Sequence, residues 1–181
     1  MDDSFELQID DIIANKVDVK KKKVDGKKKG NRVELELTKI LTARFNKPFS
    51  RTVSSGARWF QAELSQNARE IFSGDLVVPE GFKFVIECKG GYDDIDMSSV
   101  FVKGNSELDK FLNQVTDDSV RCGRKPMLCW KKNRKPWLVF LLTEDMPDKI
   151  FEYILNYRQW SVVSLDKLLE IENSFFENQK S

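Results

Sequence analysis

Gly74-Asp75-Leu76-Val77-Val78-Pro79, then Phe82-Lys83-Phe84-Val85-Ile86-Glu87-Cys88-Lys89, is the stretch that decides the fold. Both halves are short, apolar and rich in β-branched residues, and Pro79 and Gly81 separate them, so they read as two strands. Alternate side chains of a strand share a face, which puts Glu87 and Lys89 on one side and Phe82, Phe84, Ile86 and Cys88 on the other, apolar side. Pairing as a hairpin would bring Asp75 near enough to Glu87 to share one cation. Two carboxylates with a neighbouring ammonium suit phosphodiester hydrolysis. The acids hold a divalent ion that offsets their mutual repulsion, and the lysine orients or helps deprotonate a water. An isolated E-x-K triplet is common on half-exposed strands. Here the Asp-to-Glu spacing, the apolar strands and an acidic helix upstream agree with one another.

Composition narrows the chemistry further. The 181 residues contain no histidine, which excludes Ser-His-Asp and Cys-His nucleophile systems, a histidine general base and an HExxH zinc site. Three cysteines (Cys88, Cys122 and Cys129) make no CxxC pair, so a disulfide framework is not expected and a reducing, cytoplasmic setting fits. No run approaches the roughly 18 apolar residues of a membrane span. The acidic start Met1-Asp2-Asp3 does not suit a signal peptide.

A net charge of +1 conceals a strong asymmetry. Met1 to Ala14 carries five acids and no base, whereas Asn15 to Lys29 carries eight lysines and two aspartates. Residues 1–29 therefore read as an acidic, then lysine-rich arm, either a solubilising tail or a nucleic-acid clamp. The nuclease-like domain is expected over residues 30–181. Val33, Leu37, Ile40 and Leu41 repeat at helical spacing, and Leu108, Phe111, Leu112 and Val115 do so within Ser106 to Cys122. Phe49 to Val53, Gly74 to Val78, Phe82 to Lys89, Pro126 to Trp130 and Trp137 to Leu142 read as strands. Ala57 to Ile71 reads as a loop with a short helix, and further helices are expected near Asp148 to Tyr157 and Leu165 to Phe175. This order predicts an α/β fold with a mixed central sheet flanked by helices.

Asp75 with Glu87-Cys88-Lys89 resembles the core of the PD-(D/E)xK nuclease superfamily, with Gly74 where that motif often has proline. Lys29-Gly30-Asn31-Arg32-Val33-Glu34 resembles the opening helix of archaeal-type (Hjc-like) Holliday junction resolvases, in which a Lys-Gly pair precedes a helix bearing a catalytic glutamate. Arg51-Thr52-Val53-Ser54-Ser55-Gly56 is similar to that family's arginine and Ser/Gly loop. The resemblance spans Lys29 to Leu142 and implies a restriction-endonuclease-like fold. It also implies a Mg²⁺-dependent endodeoxyribonuclease, with Mn²⁺ as a substitute, acting as a homodimer that makes paired symmetric nicks in DNA four-way junctions. Asp75, Glu87 and the backbone carbonyl of Cys88 would be the metal ligands and Lys89 the catalytic lysine. Glu34 would be the first acid, as a direct or outer ligand. On a helical wheel Glu34 also borders the buried face, while Glu36 lies farther round.

Arg51, Ser54, Ser55, Lys103, Arg124, Lys131, Lys132 and Arg134 are the candidate DNA contacts, and Arg121, Lys125 and Lys135 belong to the same basic set. For any one lysine a solvated surface is the simpler reading, and for the serines so is turn hydrogen bonding. The Gly90 to Asp96 loop is acidic where many members of the resembled family are basic. Two other functions suit the same residues. One is a restriction-like, flap or repair nuclease cutting duplex or branched DNA; the other is a non-catalytic DNA-binding protein. Either a phage-like or an archaeal recombination enzyme fits this chain, in the host cytoplasm if viral.

Overall fold

The computed structural model describes residues 26–52, 73–96, 98, 100 and 103–178. Most of the expected N-terminal arm therefore lies outside the described residues, as do Ser54, Ser55 and Ala57 to Ile71. Helix α1 spans Gly26–Phe45, so Lys27 to Lys29 occupy its first turns. Val33, Leu37, Leu41 and Phe45 recur every fourth residue and are all buried. The helix ends where Asn46 takes a left-handed conformation (φ 50°), one that asparagine tolerates, just ahead of Lys47-Pro48.

Strand β1 (Ser50–Arg51) pairs antiparallel with β2 (Leu76–Val77) in a small two-stranded sheet. The main sheet has five strands: β3 (Phe84–Gly90), β4 (Lys125–Lys131), β5 (Trp137–Leu142), β6 (Leu155–Tyr157) and β7 (Trp160–Ser164). Their spatial order is β3-β4-β5-β7-β6, with β3 and β4 parallel and the remaining pairs antiparallel. Helix α2 (Ser106–Cys122) makes the crossover that a parallel pair requires. The Asn105 side chain caps its start by accepting from the N–H groups of Glu107 and Leu108, and Gly123 (φ 69°) ends it.

Side-chain alternation along β3 separates two cores. Phe84, Ile86 and Cys88 join Leu37 and Leu41 of α1, while Val85 joins Leu108, Phe111 and Val115 of α2. The sheet is thus covered on both faces. Among the described residues no helix is long and apolar enough to cross a membrane.

Two expectations need correction. The first is the hairpin: β2 pairs with β1, and Asp75 reaches β3 through a single backbone hydrogen bond, its N–H donating to the Ile86 carbonyl at 2.9 Å. The second is the C-terminal region. In place of a helix over Asp148 to Tyr157, there is a 3₁₀ segment Asp148–Tyr153 followed by β6. Trp160-Ser161-Val162-Val163 forms β7, whose β-branched pair suits a buried strand. The helix expected over Leu165 to Phe175 is broken into α3 (Leu165–Leu168) and α4 (Asn173–Phe176). Arg44 ties this end to α1, donating to the Leu169 and Ile171 carbonyls at 2.6 Å each and to Asn173 at 2.8 Å.

Candidate active site at the outer edge of the sheet

β3 is an edge strand of the main sheet, and Asp75 lies along its outer side. Cys88 donates its backbone N–H to Asp75 Oδ2 at 2.8 Å. Within a strand the N–H and C=O of one residue point to the same side, so the Cys88 carbonyl also faces outward, toward Asp75 and away from β4. Gly74 permits this approach. Its φ is +74°, and a Cβ there would stand 2.6 Å from the Ile86 carbonyl oxygen. Proline, with φ fixed near −65°, cannot adopt that conformation, which gives a physical reason for glycine at this place in the motif.

Glu87 and Lys89 share the face toward α2, as alternation requires. The Lys89 ammonium contacts Glu87 Oε1 at 2.5 Å, and Glu87 is 1% exposed. A residue that the sequence did not single out completes the group: Gln114 of α2 donates through Nε2 to Glu87 Oε1, and its own Oε1 accepts from Lys89 at 3.2 Å. The only signal for it was helical spacing, since Gln114 follows Phe111 by three residues and borders the buried stripe.

Asp75 keeps some solvent exposure, yet atoms crowd its carboxyl group. Burial, and then the nearby Glu87 carboxylate, push its pKa up from 3.8 to about 8; the Cys88 N–H and Lys89 oppose this only in part. For Lys89, burial alone would favour loss of the proton. The Glu87 charge and hydrogen bond outweigh it, so Lys89 is held above its ordinary value. The Cys88 thiol, buried in the apolar core beside Cys129, is pushed well up and stays protonated.

On α1, Glu34 is buried and Glu36 only half-buried, in line with the wheel. Glu34 accepts from Arg51 Nε at 2.6 Å, and Arg51 Nη2 also donates to Asn31 at 2.7 Å. Glu34 lies close enough to Asp75 to add to the rise in its pKa. The close approach of α1 rests on Gly90, where a Cβ would sit 2.6 Å from Val33 Cγ2. Glu36 instead accepts from Trp137 Nε1 at 3.1 Å and faces Lys131 at 3.8 Å.

The basic residues do not gather in one place. Lys131 pairs with Gly90 in the sheet register, so the β4–β5 loop stands at the same sheet end as Lys89. There Lys132 donates to the Ile95 carbonyl and lies over the Trp130 ring, while Arg134 is exposed. Lys103, also exposed, precedes α2. Arg124 adjoins Lys125, which pairs with Phe84, at the opposite end of β3 from Lys89. Arg121 is engaged by Asp118.

The family model described as "Phage putative PDDEXK endonuclease" matches residues 25–176. The chain belongs to this PDDEXK endonuclease family. Protein D14 of Escherichia phage T5 is 30% identical over 148 residues, covering 77% of this chain and 88% of that protein. Among solved structures, the Holliday junction resolvase Hjc of Archaeoglobus fulgidus matches with a TM-score of 0.42 and 16% identity, over 80% of this chain and 99% of that one. This nuclease of the PDDEXK type thus carries its Asp75 and Glu87-Cys88-Lys89 at one edge of the sheet.

The donor set fits a hard divalent cation. Among the described residues no three acidic, thiol or imidazole side chains converge. A cation here would draw on Asp75, Glu87 and the outward Cys88 carbonyl, with water and substrate oxygens completing the shell, an arrangement that suits Mg²⁺. A cation held there would add positive charge that favours the ionised form of Asp75.

Proposed function

We propose that this nuclease hydrolyses phosphodiesters in branched DNA, four-way junctions above all, with Mg²⁺ held by Asp75, Glu87 and the Cys88 carbonyl and supported by Glu34. The observation that supports the reading is that Asp75, held on the Cys88 N–H at the outer edge of β3, lies close enough to the Glu87–Lys89 pair on the adjoining face to feel both charges. When bound, the metal ion polarises the scissile phosphate and lowers the pKa of water. Mn²⁺ would substitute.

Lys89, held above its ordinary pKa by the Glu87 charge, would position the attacking water and stabilise charge developing on the phosphate. Glu87 and Gln114 fix that ammonium from two sides. Arg51 holds Glu34 at the site, and its partly exposed guanidinium is available to a phosphate. The products would be 5′-phosphate and 3′-hydroxyl ends.

The junction preference rests on the resemblance of Lys29 to Leu142 to the resolvases. A homodimer places two sites about a two-fold axis, matching the junction's own symmetry. Leu35, 48% exposed on the outer side of α1, supports a subunit contact there. The lysine-rich arm would clamp one duplex, and the host cytoplasm is the natural compartment.

Cleavage of a synthetic four-way junction beside a linear duplex and a flap, with Mg²⁺ and with EDTA, tests the reading. Preferential paired nicking of the junction is expected. Equal cutting of linear duplex rejects junction selectivity, and full activity in Glu87→Ala rejects the assigned site. Binding without cleavage of any of the three favours a non-catalytic DNA-binding protein.

A further inference from the structure

Beyond the E-x-K strand, the chain places an aromatic residue where the backbone disfavours one. Tyr92 has φ 56°, the left-handed region that suits glycine or asparagine far better than a bulky side chain. Such conformations persist where the surroundings enforce them, and they cluster at functional sites. Here the loop is pinned on both sides: Gly91 donates its N–H to the Lys131 carbonyl at 2.8 Å and accepts from Trp130 Nε1 at 3.0 Å, and Asp93 accepts from the Asn133 N–H at 2.7 Å.

The ring itself is only partly used. It meets Phe111 edge-to-face with centroids 4.7 Å apart, yet Tyr92 remains 41% exposed, and its hydroxyl has no hydrogen-bond partner among the described residues. The same Phe111 ring lies 5.4 Å from the Lys89 ammonium. One buried side chain therefore sets Tyr92 and the catalytic lysine at a fixed separation. The neighbouring Asp93 and Asp94 make this loop a poor partner for phosphate, which leaves the aromatic face as the recognition element.

We propose that Tyr92 is a substrate-positioning residue whose ring stacks on a nucleobase left unpaired beside the scissile phosphate. This rests on the nuclease reading and adds the substrate feature that its site recognises. In continuous duplex both faces of every base are covered, so only a branch point, bulge or splayed end presents a free face. A rigid ring already held in place takes up such a base without losing further side-chain freedom.

The test uses the full chain with Mg²⁺ and two DNAs of equal length, one fully paired and one with an unpaired base next to the cut. Tyr92→Asn removes the ring but keeps a residue suited to the left-handed backbone, and Tyr92→Phe keeps the ring. Stacking worth about 1–3 kcal/mol per base predicts that Tyr92→Asn lowers kcat/KM on the unpaired substrate by about 5- to 150-fold while the paired duplex is little changed. Tyr92→Phe should behave as the wild type on both. Equal losses on both DNAs with Tyr92→Asn, or a loss with Tyr92→Phe as large as with Tyr92→Asn, would overturn the stacking role while leaving the nuclease reading in place. A wild-type chain that cuts neither DNA overturns the nuclease reading and the stacking role with it.

Discussion

Gln114 donates to the same Glu87 oxygen that Lys89 contacts at 2.5 Å, and accepts from that lysine in turn. The amide can sit only this way round, because an ammonium offers no acceptor and a carboxylate no donor. Truncating it to leucine would strip a donor from a carboxylate that is almost fully buried. Gln114→Leu is expected to lower stability by about 1–3 kcal/mol and to reduce kcat more than KM, because Lys89 loses its second support. Urea denaturation and steady-state cleavage check both; unchanged kcat would show that Gln114 only packs.

Asp75 links stability to pH. Its folded-state pKa of about 8 lies above its ordinary 3.8, so the folded protein holds a proton that the unfolded chain releases between those values. Stability of the metal-free protein should therefore fall as pH rises from about 4 to about 8 and level off above that. Asp75→Asn keeps an acceptor for the Cys88 N–H and removes the ionisation. It should be inactive yet more stable than the wild type at pH 8, by on the order of 2 kcal/mol. Denaturant midpoints at pH 5, 7 and 9 in EDTA measure this, and a variant that tracks the wild type across the range would contradict it.

The same proton competes with a bound cation. Mg²⁺ should raise Tm, and at equal concentration the rise should be larger at pH 8.5 than at pH 6. Calorimetry with and without EDTA tests this. A shift independent of pH would mean that the ion binds away from Asp75.

Glu34 and Arg51 stand 2.6 Å apart, with the carboxylate far less exposed than the guanidinium. Arg51→Met should cost about 1–3 kcal/mol, chiefly because it strands Glu34, and Glu34→Gln in the same chain should recover part of that loss. A double-mutant cycle reads the coupling directly, and simple additivity of the two changes would show that the pair is not energetically linked.

Gly74 offers a counter-intuitive case. Restoring the proline that the superfamily motif often has at this place should damage the protein, because φ +74° and the 2.6 Å gap to the Ile86 carbonyl admit neither the pyrrolidine ring nor a Cβ. Gly74→Pro is expected to lose about 3 kcal/mol or more and nearly all cleavage, and Gly74→Ala to lose less. Thermal melts of the two variants would show whether that order holds.

The amino-acid sequence by itself determined the elements whose period is strong and whose partners are local. The stripes of α1 and α2, and the alternation that sets Glu87 and Lys89 on one face, follow from side-chain spacing along one element. Tertiary structure decided what depends on meetings across the chain. It paired β2 with β1, split the C-terminal region into β6, β7 and short helices, and brought Gln114 from α2 onto Glu87. The reason is physical: a short strand is stable only against a neighbour, and a carboxylate's partners and pKa are set by whatever packs over it. Neither is written in the residues on its two sides.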